Sequence, residues 1–485
     1  MFSAMQAVHG YEEFTYARRV PEQEILHRVL VEHLETFLDR TRTENHELPG
    51  HVEQELRDYV ECGVLGCGFV RLVCDDCGRE RAVAFSCKGR GFCPSCTGRR
   101  MADTAARLVD DVFPSDVPVR QWVLSLPIEI RYRLAYDGRL LSDVLAVFLR
   151  VVRAWYRSQA QAAGYGNARC GSVTFAQRFG SALNLNPHFH TLALDGAYSQ
   201  AGNGAPVFHP AEEPTDDDVR HVVETTAYRV IRLLERRGIL DSDGLDPLAD
   251  ESPVLAGMTA ASVQGLVTTG DRAGMRVRRV LSDPADAVRT GGLCYASRGF
   301  SLHAATRIDG HDRHGLERLC RYVARPPLAA GRLAQASGES LSFRLKTPWD
   351  DGTTHLILSP MELIEKLAAL VPPPRVNLVR YHGVLAPHAK DRDRIVPAGG
   401  RKEEGAGSRS VRRHRLSWAA LLARVFQIDV STCPHCGGRM RIVAAVTDPD
   451  SARRYIEGVG LSAGVPKLAP ARAPPQPDLD FDHPP

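Results

Sequence analysis

The 485-residue chain carries 61 basic against 58 acidic side chains, a formal charge of +3, so it is no polycation and any nucleic-acid surface on it must be local. Its length predicts two to four domains, and 44% apolar residues suffice for genuine cores. There is no apolar run of about 18 residues to span a bilayer, and Met1 to Gly10 lack the basic-then-apolar order of a signal peptide, so a soluble intracellular protein is expected.

Residues 21–61 predict helix, with Ile25, Val29, Leu30, His33, Leu34, Phe37 and Leu38 at helical spacing and Val52, Leu56, Tyr59 and Val60 continuing it. Residues 62–100 are rich in cysteine and glycine, with a strand-like piece at Gly68–Val73. Val119–Ser125 reads as a strand ended near Pro127, and 139–162 as a strong amphipathic helix through Leu140, Leu141, Val144, Phe148, Val151, Val152 and Trp155. Ser172–Phe179 and His188–Leu194 predict two strands joined by a short link, and 215–236 a further helix. A strand over Gly299–Ile308 precedes a helix over 312–325, stopped by Pro326-Pro327. Leu341–Lys346 and His355–Leu358 flank the turn signal Asp350-Asp351-Gly352-Thr353, and Met361–Leu370 reads as a helix. Residues 390–415, with nine Lys/Arg against four Asp/Glu, predict a flexible basic linker, and the proline-rich tail of 466–485 predicts disorder. Helices interspersed with strands, two of them closely linked, give an α+β, multidomain chain with an antiparallel sheet.

Seven of the twelve cysteines lie between Cys62 and Cys96, which points to metal binding in a reducing compartment rather than to disulfides. Cys74-Asp75-Asp76-Cys77 and Cys93-Pro94-Ser95-Cys96 have the spacing of two knuckles closing on one tetrahedral zinc. Cys62, Cys67 and Cys87 are left over, and Cys433-Pro434-His435-Cys436 offers two thiolates alone; whether these hold a second zinc stays open.

Two histidines one residue apart, His188 and His190, project to one face of a strand while Phe189 turns into the core. Such a pair is half of a metal site. Gln177, on the preceding strand, can face the same ion as a third ligand if the strands fold back on each other. On the 312–325 helix, Leu316, Leu319, Cys320 and Val323 form the apolar stripe. Arg318, Arg321, Tyr322 and Arg325 share the other face. A phenol among three guanidiniums suits phosphate chemistry, because the cations can bind a phosphodiester and the charge that builds on it.

These motifs are similar, in order and wording, to those of the IS91 family of rolling-circle transposases, members of the HUH (His-hydrophobe-His) nuclease superfamily. The resemblance rests on Cys74-x-x-Cys77, Ser86–Cys96, Gln177–His190 and Arg321–Leu328, and spans about residues 50–460. It implies a helical and zinc-binding DNA-recognition domain over 1–105 and a nuclease domain over 110–335, its central antiparallel sheet flanked by helices. A hairpin and helix extension over 336–389, the linker over 390–415, a small Cys-x-x-Cys module over 416–465 and the tail would complete the chain. It further implies structural zinc on Cys74, Cys77, Cys93 and Cys96, a catalytic Mg²⁺ or Mn²⁺ on His188 and His190, and Tyr322 as nucleophile; Gln177 as third ligand and Arg318, Arg321 and Arg325 at the phosphate rest on the strand and helix geometry alone. The expected reaction cuts and rejoins single-stranded DNA at element ends, which can form hairpins, through a 5′-phosphotyrosyl intermediate and a free 3′-OH. The expected setting is the prokaryotic cytoplasm, at the nucleoid, with no membrane and no small-molecule cofactor. One departure stands out: two-tyrosine relatives carry a second tyrosine one turn before the nucleophile, where this chain has Arg318. That places it with the single-tyrosine, common-region-element-like branch. A plasmid replication initiator or relaxase shares the same chemistry, and a non-enzymatic zinc DNA-binding regulator is the reading in which the histidine pair is incidental.

Overall fold

The computed structural model describes residues 19–43, 47–240, 246–281, 292–329, 331–397, 432–460 and 464–472. Its helices are α1 (Ile25–Thr43), α2 (Gly50–Glu61), α3 (Pro94–Asp111), α4 (Ile128–Tyr136), α5 (Gly138–Ala162), α6 (Asp216–Arg236), α7 (Pro247–Glu251), α8 (Pro253–Gln264), α9 (Arg313–Val323), α10 (Pro360–Leu370), α11 (Arg392–Ile395) and α12 (Pro449–Gly458). The strands up to the histidine pair are β1 (Phe69–Cys74), β2 (Glu80–Ala84), β3 (Val119–Ser125), β4 (Gly171–Phe179) and β5 (Leu185–Leu194). After them come β6 (Gly196–Gln200), β7 (Pro206–Pro210), β8 (Arg278–Leu281), β9 (Cys294–Ser297), β10 (Phe300–His303) and β11 (Arg307–Ile308). The last are β12 (Leu333–Gln335), β13 (Leu341–Arg344), β14 (Thr353–Leu358), β15 (Val379–Gly383) and β16 (Met440–Val446). With 41% helix and 23% strand, the chain is α+β as its pattern predicts.

The described residues fold as two compact units, each assembled from separated segments: those within 24–60, 87–403 and 466–485 form the larger, and those within 1–23, 61–86 and 404–465 the smaller. The sequence instead suggests domains in linear succession.

The larger unit is organised on an antiparallel sheet of order β15-β4-β5-β3-β10-β9, with β11 also on β3. Strand alternation sorts its two faces. Phe189, Trp122, Leu124 and Ala176 pack under α5 and α6 through Val144, Phe148, Val152, Val222 and Val230. Val119, Val173, Phe175, Leu192 and Leu194 pack on the other side under α3 and α9 through Leu108, Val109, Leu316, Leu319, Cys320 and Val323. The α9 stripe is the one its sequence period predicts. Helix α3 is not in the sequence reading; Pro94 at its first turn and the Cys93 sulfur at its N-cap start it. Because it packs against the sheet, α3 belongs to the larger unit. The sheet also runs past residue 335, since β15 pairs with β4 from Val379↔Phe175 to Gly383↔Gly171. The strand expected over 299–308 is broken into β10 and β11, and β9 joins it as a hairpin.

Under the sheet lies a buried ion pair. Asp195 accepts from Arg120 Nε at 2.9 Å, Arg120 Nη2 at 3.1 Å, Tyr156 Oη at 3.0 Å and Arg307 Nε at 3.0 Å. A second sheet of order β12-β13-β14-β8 is tethered to the β4–β5 link, where Arg332 Nη2 donates to Ser181 O at 3.0 Å and Trp349 Nε1 to Ser181 Oγ at 3.2 Å. The tail does not follow its predicted disorder throughout. Ala469 N donates to Val31 O at 2.9 Å and Arg472 N to Thr36 Oγ1 at 3.0 Å, so this stretch lies along α1 with partners for its backbone. Residues 473–485 and most of the predicted linker lie outside the described residues.

The smaller unit holds the antiparallel sheet β16-β1-β2 and α12, with Leu65 and Phe69 packed on Ala452 and Ile456.

Candidate active site

The histidine strand is central in its sheet, with β4 on one side and β3 on the other. Register puts Gln177 directly opposite His188, and Phe175 opposite His190. Gln177, His188 and His190 therefore share one face. His188 Nδ1 donates to Asn186 O at 2.7 Å, which leaves its Nε2 as a lone pair. That nitrogen lies 3.1 Å from His190 Nε2. Behind His190, its Nδ1 is 2.7 Å from the side-chain amide of Gln121 on β3. Burial pushes the His188 imidazole down to about 4 and holds His190 well below its usual value, with the Arg325 charge acting in the same direction on both. Both rings are thus neutral near pH 7, the form that ligates metal.

The nucleophile candidate approaches from α9. Asp312 caps that helix by accepting from Gly315 N at 2.7 Å, and Arg313 Nη1 donates to Pro114 O at 3.0 Å beside the end of α3. So anchored, α9 carries Tyr322 to the histidines: the rings of Tyr322 and His190 stand 5.9 Å apart and perpendicular. The phenol is 39% exposed, open to a ligand. The Arg325 guanidinium lies 4.4 Å from the Tyr322 ring centre, and Arg325 also lies 5.7 Å from Phe179. Arg321 donates to Glu317 Oε1 at 2.6 Å along the same helix, so its charge is already partnered, and Arg318 is exposed one turn before Tyr322. Of the three arginines, geometry puts Arg325 at the phenol.

Two residues absent from the sequence reading belong to this constellation. Gln121 orients His190; its only sequence signal is a polar residue inside an apolar strand. Lys346, at the exit of β13, brings its ammonium to 4.2 Å from the Tyr322 ring centre. Burial lowers this ammonium against the opposing pull of Tyr322. Nothing local in the chain marks Lys346, because it meets Tyr322 only through the second sheet.

The residues fit a divalent cation. Gln177 Nε2 donates to Val323 O at 2.9 Å, and its Oε1 is buried with no hydrogen-bond partner. An orphaned amide oxygen beside two neutral imidazoles is a three-donor set of oxygen and nitrogen. As they stand, the two Nε2 atoms share one proton donated from His190, with the Gln121 amide donating to His190 Nδ1. A half-turn of that amide presents its oxygen to Nδ1 instead and frees both Nε2 lone pairs for an ion.

The cysteines are arranged otherwise than their spacing predicts. In the smaller unit, the sulfurs of Cys74 and Cys77 gather with those of Cys433 and Cys436, all within 4.8 Å of one another. Cys93 and Cys96 gather in the larger unit with Cys87, whose sulfur is 3.5 Å from that of Cys96. The expected four-thiolate set is therefore divided between two groups. The physical reason is pairing: β1 runs antiparallel to β16, from Phe69↔Val446 to Cys74↔Met440, and this brings the distant knuckle to the first one.

Two family models match the chain. "Transposase zinc-binding domain" covers residues 29–126 and "Putative transposase" covers 171–393, together about two thirds of the sequence. No curated protein and no solved structure matches it. Among the described residues, no helix is long and apolar enough to cross a membrane.

Proposed function

Since the chain belongs to the IS91-like transposases, enzymes that process DNA and carry structural zinc, we propose that it cuts and rejoins single-stranded element ends with Tyr322. The observation that carries this reading is the meeting of Tyr322 with His190 at 5.9 Å, beside the unpartnered Gln177 oxygen. Two elements more than a hundred positions apart converge there, as a metal-assisted nucleophile requires.

A divalent ion on His188, His190 and Gln177 would polarise a non-bridging oxygen of the scissile phosphate. The protein's own residues do the rest. Helix α9 sets the phenolic oxygen for in-line attack. Arg325 and Lys346, on the flanks of the phenol, offset the negative charge that accumulates on the five-coordinate phosphorus. The P–O bond to the 3′ side breaks, leaving a 3′-OH and a 5′-phosphotyrosine, and attack by a 3′-OH on that linkage reverses the step. With Arg318 in place of a second tyrosine, one nucleophile per chain serves both transfers. The zinc-binding match favours this role over a plasmid initiator, whose chemistry would be the same.

The test is incubation with single-stranded terminal DNA and Mn²⁺, followed by a denaturing gel. A slow-migrating protein–DNA adduct is expected, absent in Tyr322→Phe while zinc content stays normal. An undiminished adduct in that variant would remove Tyr322 from its role.

A further inference from the structure

We propose that Cys74, Cys77, Cys433 and Cys436 form one zinc site that closes a ribbon out of two remote segments of the chain, with residues 87–403 lying between them in sequence. Tetrahedral zinc at about 2.3 Å from each thiolate sets its sulfurs about 3.8 Å apart. Here Cys74 Sγ lies 3.5 Å from Cys436 Sγ, and Cys77 Sγ lies 3.7 Å from Cys433 Sγ, although each pair is more than 350 positions apart in sequence.

The backbone around the two pairs is built alike. Cys74 N donates to Arg79 O at 2.8 Å and Gly78 N to Cys74 O at 3.1 Å; Cys433 N donates to Gly438 O at 2.7 Å and Gly437 N to Cys433 O at 2.9 Å. Each turn ends on a glycine in the left-handed region, Gly78 at φ 69° and Gly437 at φ 74°. Each is thus a Cys-x-x-Cys-Gly knuckle at the base of a hairpin, and the two face each other across the thiols. The knuckles are also joined directly: Asp75 N donates to Arg439 O at 2.9 Å, and Arg441 Nε to Asp75 Oδ1 at 2.6 Å. Leu72 and Met440 pack against Cys74 and Cys433 and shield the sulfurs from one side. Among the described residues the small unit has few other buried apolar side chains, and four thiolates left as free thiols would give it no staple.

The N-terminal knuckle stays open until residue 436 has been made, so a chain cut before the second knuckle keeps the nuclease residues and loses the ribbon. The inference does not depend on the Tyr322 reading, because zinc content is measured without cleavage.

The test uses the full chain and metal analysis. Cys433→Ser/Cys436→Ser and Cys74→Ser/Cys77→Ser should each lose one zinc equivalent per chain relative to the parent. The fourfold variant should lose no more than either pair. If the C-terminal pair changes nothing, or if the losses add, the shared site is overturned. Because a serine variant can lose metal by misfolding, Cys436→His supplies the second readout. In the cobalt-substituted protein it should keep the full metal content and shift the visible absorption of one equivalent, as one sulfur ligand becomes nitrogen. Retained cobalt with an unshifted spectrum would overturn the assignment of Cys436.

Discussion

Replacing Lys346 by methionine isolates the cation that the second sheet delivers to the phenol. Its Nζ lies 4.2 Å from the Tyr322 ring centre. A unit charge at about 4 Å is worth about 4 kcal/mol at an effective dielectric of 20 and about 1 kcal/mol in water. Lys346 is exposed, and a phosphate attacked by the phenolic oxygen would stand beyond the ring, so the lower part of that range applies. A loss of about 1–2 kcal/mol of transition-state stabilisation is a fall of roughly 5- to 30-fold in cleavage rate. The assay is single-turnover formation of the phosphotyrosyl adduct at saturating Mn²⁺, with a matched series across salt. Lys346→Arg should hold most of the rate, and the Mn²⁺ midpoint should not move, since no metal donor is altered. The difference between parent and Lys346→Met should shrink as salt rises, because screening weakens exposed charges. Parent-like rates in the methionine variant at low salt would refute the role.

Three other outcomes follow from the geometry. Gln121→Leu should raise the Mn²⁺ concentration for half-maximal cleavage by about 10- to 100-fold while zinc content is unchanged, as removal of a group that orients a histidine ligand does; an unmoved midpoint would dismiss it as a positioning residue. Gln177→Ala should weaken Mn²⁺ in the same assay and also slow the step at saturating ion, since its amide holds the end of α9; a change in neither would exclude it as a donor. Arg120→Met should destabilise the larger unit by about 3 kcal/mol, toward the low end for a broken buried pair because Arg307 and Tyr156 stay on Asp195; a denaturant midpoint equal to the parent's would contradict this.

What the chain announces in advance is whatever short-range period encodes. His188, Phe189 and His190 alternate, so a strand sorts them to opposite faces regardless of the rest of the fold. Leu316, Leu319, Cys320 and Val323 repeat at helical spacing, so α9 and its buried side are equally legible. Gln177 was within reach because a short link joins its strand to the histidine strand. The cysteines were not. Proximity in sequence favours Cys93 and Cys96 as partners for Cys74 and Cys77, but strand pairing between β1 and β16 outweighs it. The glycine that follows both Cys77 and Cys436 is the local clue that these two knuckles are alike. Lys346 and β15 were hidden for a related reason: each matters only through a neighbour supplied by a remote segment.

In the proposed reaction the Gln177 side chain would serve both the ion and the nucleophile at once. Its nitrogen donates to Val323 O in the last turn of α9, while its oxygen is buried without a partner on the sheet face that carries the histidines. An ion of the wrong radius would therefore tug that amide and swing the attacking oxygen off line. Discrimination among ions would then show itself less in how tightly each is held than in how well the enzyme fires with it.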